Sequence, residues 1–302
     1  MAEAARAGVR STRPGAAAVL AAVFIWSFTN TLVKTSSLSA LTFAVHRLWI
    51  GSVMLLAVLL LARRRLSWQI LRSSAPGGAL LGVEIAFFFS AIKHTSIADT
   101  AVIAALQPAL VLLVAGRLFG ETVTRREVVW TLVSLGGIVL VTIGSSGTPV
   151  WSLYGDMLAV GSLVAWTAYF LASKRARTTV PPVEYMTVVT VTAALVITPI
   201  TVMAGQPLGG LRAGDLVWLV LFVVGASGGH LLLAWAHAHV DVSVSSLLML
   251  AQPVVGALAA LLVLGEPITP LTAAGGVVVV GSLAAIVSRA ARIGEAEELT
   301  PT

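Results

Sequence analysis

Ten long apolar runs, separated by short segments with glycine, proline or basic residues, fill almost the whole of this chain. Each run is about long enough to cross a hydrocarbon core of roughly 30 Å as a helix, which satisfies its own backbone hydrogen bonds there. Apolar residues make up 58% of the sequence and charged residues 11%, which indicates lipid as the main solvent. The runs lie near residues 15–34, 40–62, 76–93, 98–119, 127–145, 155–173, 182–203, 215–236, 242–264 and 269–288.

The basic residues predict the orientation of the chain in the membrane. Short loops force successive spans to alternate in direction, so the loops and termini fall into two sets on opposite sides. Fifteen of the 19 Lys and Arg residues lie on the side that holds both termini, and the other side holds Lys34, Lys93 and Arg212. Positive charge is enriched on the cytoplasmic side, so both termini are predicted to be cytoplasmic. Because this charge flanks apolar runs, it also argues against nucleic-acid binding despite the net charge of +6.

An internal repeat divides the chain into two halves. Two short motifs, Gln-Pro and then Gly-Glu, occur once in each half at an offset of 145 residues. They are Gln107-Pro108 with Gly120-Glu121, and Gln252-Pro253 with Gly265-Glu266. Five spans are an odd number, so the second copy must insert upside down. The sequence therefore predicts an all-α polytopic membrane protein of ten transmembrane helices, arranged as two inverted five-helix repeats over residues 1–148 and 149–302.

Further residues in the first, second and sixth spans complete an ordered pattern. They are Trp26, Arg47, Gly155-Asp156 and Trp166. With the repeated motifs, this pattern resembles the drug/metabolite transporter superfamily, specifically its ten-helix EamA-type members, over essentially the whole chain. The resemblance implies a cavity between the halves for an amino acid, another metabolite or a small drug, and transport without ATP hydrolysis. One departure is Thr187, which stands where the repeat would place a partner for Arg47.

The function that follows is secondary transport of a small organic solute across the cytoplasmic membrane by alternating access, with export as the expected direction. A passive channel and a non-transporting receptor stay open as alternatives. A membrane-embedded lipid-modifying enzyme is less favoured, because the spans lack clustered carboxylates or a nucleophile constellation. We expect no enzymatic activity, cofactor or metal, since cysteine is absent and His237 and His239 lie on different helix faces. The substrate, proton coupling and oligomeric state are left open.

Three titratable residues lie inside predicted spans. Glu84 is close to the midpoint of the third span, where an unpaired charge is costly, and Arg47 reaches a similar depth in the second. Either they form a structural ion pair, or Glu84 couples protons or contacts substrate. His230 falls one position from the repeat counterpart of Glu84 and is predicted to line the same cavity, the alternative being a histidine satisfied by a nearby carbonyl.

Aromatic side chains also face the predicted cavity. Trp26 and Asn30 share one helix face because they are four residues apart, and Trp166 is the repeat counterpart of Trp26. Such surfaces suit an amphipathic organic solute, although aromatic residues also pack helices together.

The repeated motifs predict two kinked helices. Pro108 and Pro253 each remove a backbone N–H near the middle of a span, beside the amides of Gln107 and Gln252. We expect these helices to line the cavity and flex at the prolines, with a static kink as the alternative. Glu121 and its counterpart Glu266 are expected to organise the short turn into the following helix rather than to contact substrate.

Overall fold

The computed structural model describes residues 13–33, 38–95, 97–146, 152–209 and 211–298, and within these ranges the regular structure is entirely helical. The helices follow one another through short connections, as the apolar runs predict. They are α1 (Arg13–Val33), α2 (Ala40–Leu61), α3 (Trp68–His94), α4 (Ile97–Ala104), α5 (Gln107–Phe119), α6 (Arg125–Ser146), α7 (Leu153–Ala176), α8 (Pro182–Met203), α9 (Ala213–Ala236), α10 (Val242–Leu248), α11 (Gln252–Leu264) and α12 (Pro270–Glu298).

Eight helical stretches in the described residues are long and apolar enough to cross a membrane. Two more apolar stretches, at residues 13–29 and 270–285, are shorter. The outer surface is strongly apolar: Leu60, Leu113 and Val277 are 72%, 74% and 73% exposed, which would be costly in water and suits lipid. The chain therefore has the helices of a multi-pass membrane protein.

Two of the predicted spans are broken near their middle. Helix α4 ends before α5, which has Pro108 in its first turn, and a 3-10 turn (Met249–Ala251) separates α10 from α11, which has Pro253 in its first turn. Each proline lacks the N–H that would continue the hydrogen-bond ladder, so the break falls where the proline requires it. The flexing of the helices at these two breaks stays a prediction.

The helices that follow these breaks also end alike. Helices α5 and α11 each have 13 residues and are capped at their C-terminal ends by Gly120 and Gly265, which share φ 71° and ψ 16°. This left-handed conformation is strained for residues with a Cβ atom, which explains the glycine of each Gly-Glu motif.

The main helix contacts join the first half of the sequence to the second. Helix α1 packs on α9, α3 on α7 and α8, α2 on α8 and α9, and α6 on α12. Between α6 and α12 the backbones come very close, since a Cβ atom on Gly275 would lie 2.5 Å from the carbonyl oxygen of Gly137. Small residues at such crossings are typical of helix packing in membranes. The halves are thus interleaved, and a site between them is built from both.

Candidate functional site

A cluster of aromatic rings lies where α1, α7 and α9 meet. The ring of His230 is 4.6 Å from that of Trp26 and 6.3 Å from that of Trp166, and the two indoles are 6.2 Å apart, centroid to centroid. The Trp26 Nε1–H donates to the carbonyl oxygen of Ala226 at 3.1 Å, which fixes the indole against α9. Three of the predicted site residues are therefore in mutual contact, with Trp26 from the first half and Trp166 and His230 from the second.

The polar side of this cluster involves α3 and α7. The hydroxyl of Ser162 donates to Oε1 of Glu84 at 3.1 Å, and Trp166 follows Ser162 by one helical turn. The hydroxyl of Tyr169, on the same helix, lies 3.4 Å from Nδ1 of His230. We call these residues, with Arg47, the inter-half site: Trp26, Arg47, Glu84, Ser162, Trp166, Tyr169 and His230.

Arg47 lies beside this cluster, in a small cavity that His230 also lines. Its guanidinium carbon is 5.8 Å from the centre of the Phe222 ring, a cation–π contact. Among the described residues, the ion pairs do not include one between Arg47 and Glu84, so the direct pair that the sequence suggested is not formed. The reason is geometric: the Glu84 carboxylate points to Ser162 on α7 instead.

The cavity itself has a volume of about 20 Å³, enough for about one water molecule. Pockets that hold organic ligands are usually several hundred Å³. In this conformation the cavity is therefore too small for an organic solute, and a solute could bind there only if the surrounding helices moved apart.

The remaining predicted residues lie around the helix breaks or outside the described side chains. Gln107 is 3% exposed, and among the described residues its Nε2 has no hydrogen-bond partner. The backbone carbonyl of Gln252 accepts a hydrogen bond of 3.3 Å from the Ser27 hydroxyl, next to Trp26. Asn30 belongs to α1, but its side chain lies outside what the structure describes. Within the described part of the chain, no hydrogen bond joins the Gln107 side chain to the inter-half site.

Two members of the site, Ser162 and Tyr169, were not singled out from the sequence. A signal was available, because Ser162, Trp166 and Tyr169 are spaced by four and three residues and so share one face of a helix. What was missing was the knowledge that this face of α7 meets Glu84 on α3 and His230 on α9.

A second polar cluster lies at one end of the bundle, which we call the Glu121 face. The Glu121 carboxylate accepts hydrogen bonds from the backbone N–H of Val242 at 2.7 Å, and from the N–H and hydroxyl of Ser243 at 3.0 and 2.7 Å. It thus caps α10, a helix of the other half. The expectation that Glu121 organises its own turn is wrong, because Thr124 and Glu127 cap α6 between themselves.

Two more charged groups surround this cap. Lys174 is 2% exposed, and its ammonium donates to the carbonyl oxygen of Val240, just before α10. Asp241 occupies the N-cap position of α10. Burial first, and then the nearby Glu121 carboxylate, raise the pKa of Asp241 from its ordinary value of 3.8 to about 6, against the opposing effect of Lys174.

The raised pKa of Asp241 predicts a pH effect on stability. The folded protein holds this proton more tightly than the unfolded chain does. The contribution of Asp241 to stability therefore falls as the pH rises from about 4 to about 6, and it is constant above about pH 6. Asp241→Asn, which imitates the protonated form, should match the wild type near the lower pH and exceed its stability at neutral pH. Thermal unfolding of both proteins in detergent across this range measures the difference, in which titrating groups that do not interact with Asp241 cancel. A wild type that is more stable than the variant at neutral pH would contradict this account.

Comparison with known proteins agrees with this architecture. The EamA-like transporter family model matches twice, over residues 13–143 and 153–288. The chain is 27% identical over 272 residues to the uncharacterized transporter YwfM of Bacillus subtilis, covering 83% of this chain and 86% of that protein. It is 28% identical over 268 residues to an uncharacterized transporter of Archaeoglobus fulgidus, covering 86% and 94%.

A solved crystal structure has the same fold, with a TM-score of 0.78 over 92% of this chain and 98% of that one, at 22% identity. The two family matches together span most of the chain and include every residue of the inter-half site. The chain belongs to the EamA-like transporter family of the drug/metabolite transporter superfamily, and it is a multi-pass membrane protein.

Proposed function

We propose that this protein is a secondary transporter that exports a small organic solute by alternating access. One observation carries the proposal: the inter-half site is made by residues of both halves, and two of them, Arg47 and His230, line a cavity of about 20 Å³. A solute can occupy such a site only after the halves separate on one side, and it can leave after they separate on the other. Trp26, Trp166 and Tyr169 provide the apolar wall, and Arg47 and Glu84 provide the charge. Export is the direction that the resemblance implied.

The proposed architecture is ten spans in two inverted repeats, residues 1–148 and 149–302. The helix contacts support this architecture. If each helix is replaced by its counterpart in the other half, the α1–α9 contact becomes the α7–α3 contact and the α2–α9 contact becomes the α8–α3 contact, and all four contacts are present. The contacts α2–α8 and α6–α12 convert into themselves. This is the pattern expected from a two-fold axis between the halves, and five spans per half, an odd number, would place that axis in the membrane plane.

The proposed location is the cytoplasmic membrane, with both termini and the Glu121 face on the cytoplasmic side, because most Lys and Arg residues fall there. A reporter fused after Thr302 should give a cytoplasmic signal, and one in the loop near Gly147 should give an external signal. The reverse result at either fusion would contradict the orientation.

The test of transport has two stages. Metabolite and toxicity profiles of cells that over-produce the wild type, compared with a variant in which Trp26 and Trp166 are both alanine, identify candidate solutes. Counterflow of each candidate into proteoliposomes then separates the mechanisms. A carrier exchanges labelled for unlabelled solute, whereas a channel shows passive flux without such exchange, and a receptor shows neither. Absence of exchange for every solute that the profiles identify would refute the proposal.

Glu84 is proposed to couple transport to protons, since it is a carboxylate within a span and its hydrogen-bond partner Ser162 is on the other half. Glu84→Gln keeps the shape and removes the titration, so flux driven by a pH gradient should fall by about tenfold or more while solute exchange persists. Ser162→Ala is the matched control, because it removes the same hydrogen bond and keeps the carboxyl group. Unchanged pH-driven flux in Glu84→Gln would reject the coupling.

A further inference from the structure

Arg47 stands out as a cation within a span that has no ion-pair partner among the described residues. Among the residues that the structure describes, no carboxylate is in ion-pair contact with its guanidinium, and its buried Nε has no hydrogen-bond partner. The Phe222 ring, which is in cation–π contact with the guanidinium, provides a ring face and no hydrogen-bond acceptor. A guanidinium has five N–H donors, so most of its hydrogen-bonding capacity is left for something else.

Leaving such a charge unpaired within a membrane span is costly. The cavity beside Arg47 holds about one water molecule, which cannot accept from five donors. Glu84 is the carboxylate that acts on Arg47 through space, but it is turned toward Ser162. The guanidinium of Arg47 and the carboxylate of Glu84 are therefore held apart. This separation is expected if a different anion binds next to Arg47.

The surroundings of Arg47 narrow the chemistry of that anion. The cavity is also lined by Thr190, Ser227 and His230, which offer polar contacts, and by Phe222 and Leu81, which offer an apolar wall. Because Arg47 carries one positive charge and Glu84 lies nearby, the site is better matched to a ligand with one negative charge than to a ligand with two. A planar guanidinium matches a carboxylate in two parallel hydrogen bonds.

We propose that Arg47 binds the carboxylate of the transported solute, so that the substrates of this carrier are organic monoanions with an apolar body. The apolar body lies against Phe222 and the aromatic rings of the inter-half site. This inference rests on the proposed transport function, and it adds the charge class of the substrate.

The test uses the full-length protein in detergent, with two carboxylates of different size and their uncharged isosteres as probes. Isobutyrate and phenylacetate should raise the midpoint of thermal unfolding, because a ligand that binds only the folded state stabilises it. Isobutyramide and phenylacetamide should have little effect. In Arg47→Met the carboxylates should bind at least about tenfold more weakly, a loss of about 1.4 kcal/mol. Arg72→Met is the matched control, because it removes an exposed arginine of α3 and should bind them as the wild type does.

Several outcomes would overturn the inference. The inference fails if acids and amides stabilise the wild type equally, or if neither stabilises it. This result needs no variant. If Arg47→Met does not fold, the comparison of acids with amides on the wild type still tests the inference. Arg47→Lys should then retain the preference for acids. Carboxylate binding without counterflow of any solute would refute transport and leave the anion site standing. Counterflow that treats an acid and its amide alike would refute the anion site and leave transport standing.

Discussion

Gly229→Ala is expected to displace the Trp26 indole and to abolish transport. A Cβ atom at this position would lie 2.4 Å from Nε1 of Trp26, far inside van der Waals contact. The indole cannot move away freely, because its N–H is bonded to Ala226 and its ring packs on His230 and Trp166. Overpacking of this kind typically costs about 1–3 kcal/mol. Here the distortion would also fall directly on the inter-half site.

The neighbouring glycine provides a matched control. A Cβ atom on Gly228 would meet no atom of the described residues within 4 Å, so Gly228→Ala has room. Because alanine restricts the unfolded chain more than glycine does, Gly228→Ala should be neutral or stabilise by about 0.4–1 kcal/mol. Thermal unfolding, tryptophan fluorescence and solute exchange should all separate the two variants. Equal behaviour of the two alanine variants would show that the contact between Gly229 and Trp26 is unimportant.

Glu121→Ala is expected to cause the larger loss of stability. The change leaves two backbone N–H groups and one hydroxyl at the start of α10 without their acceptor, close to the buried ammonium of Lys174. Leaving several buried donors without their acceptor typically costs about 3–5 kcal/mol in total, at about 1–3 kcal/mol for each donor. The free energy of unfolding, measured by denaturant titration in detergent, should fall by an amount in this range.

Two further variants identify the source of that loss. Ser243→Ala removes one donor to Glu121 and should cost only about 1 kcal/mol. If loss of the Glu121 charge near Lys174 causes much of the effect, Lys174→Met combined with Glu121→Ala should recover part of the stability, as a double-mutant cycle would show. A Glu121→Ala protein as stable as the wild type would mean that the cap contributes nothing.

The helical fold could be predicted from the sequence, because each span is a long apolar run and each break directly precedes a Gln-Pro motif. These are local properties: a proline lacks its N–H whatever surrounds it, and a Gly-Glu motif marks the end of a helix in each half. The association of Trp26, Trp166 and His230 could also be anticipated, since the repeat placed the two tryptophans in corresponding spans and His230 was predicted to line the same cavity.

What could not be predicted depends on which helix faces meet. Glu84 was correctly placed inside a span, but its partner Ser162 lies on α7. Glu121 was assigned to its own turn because Thr124 follows within three residues, yet its carboxylate reaches 121 residues along the chain to Val242. Both errors concern long-range contacts, which periodicity and spacing do not encode.

The cap that Glu121 places on α10 also bears on how strongly a solute is bound from each side of the membrane. If this face must open to admit solute, the hydrogen bonds from Val242 and Ser243 keep the open form a minority of the molecules. A solute that binds only the open form then has an apparent dissociation constant raised in proportion to its rarity, tenfold for about every 1.4 kcal/mol that favours closure. The half-saturation concentration can therefore differ between the two sides of one carrier, while the final distribution of solute is set by the gradients alone.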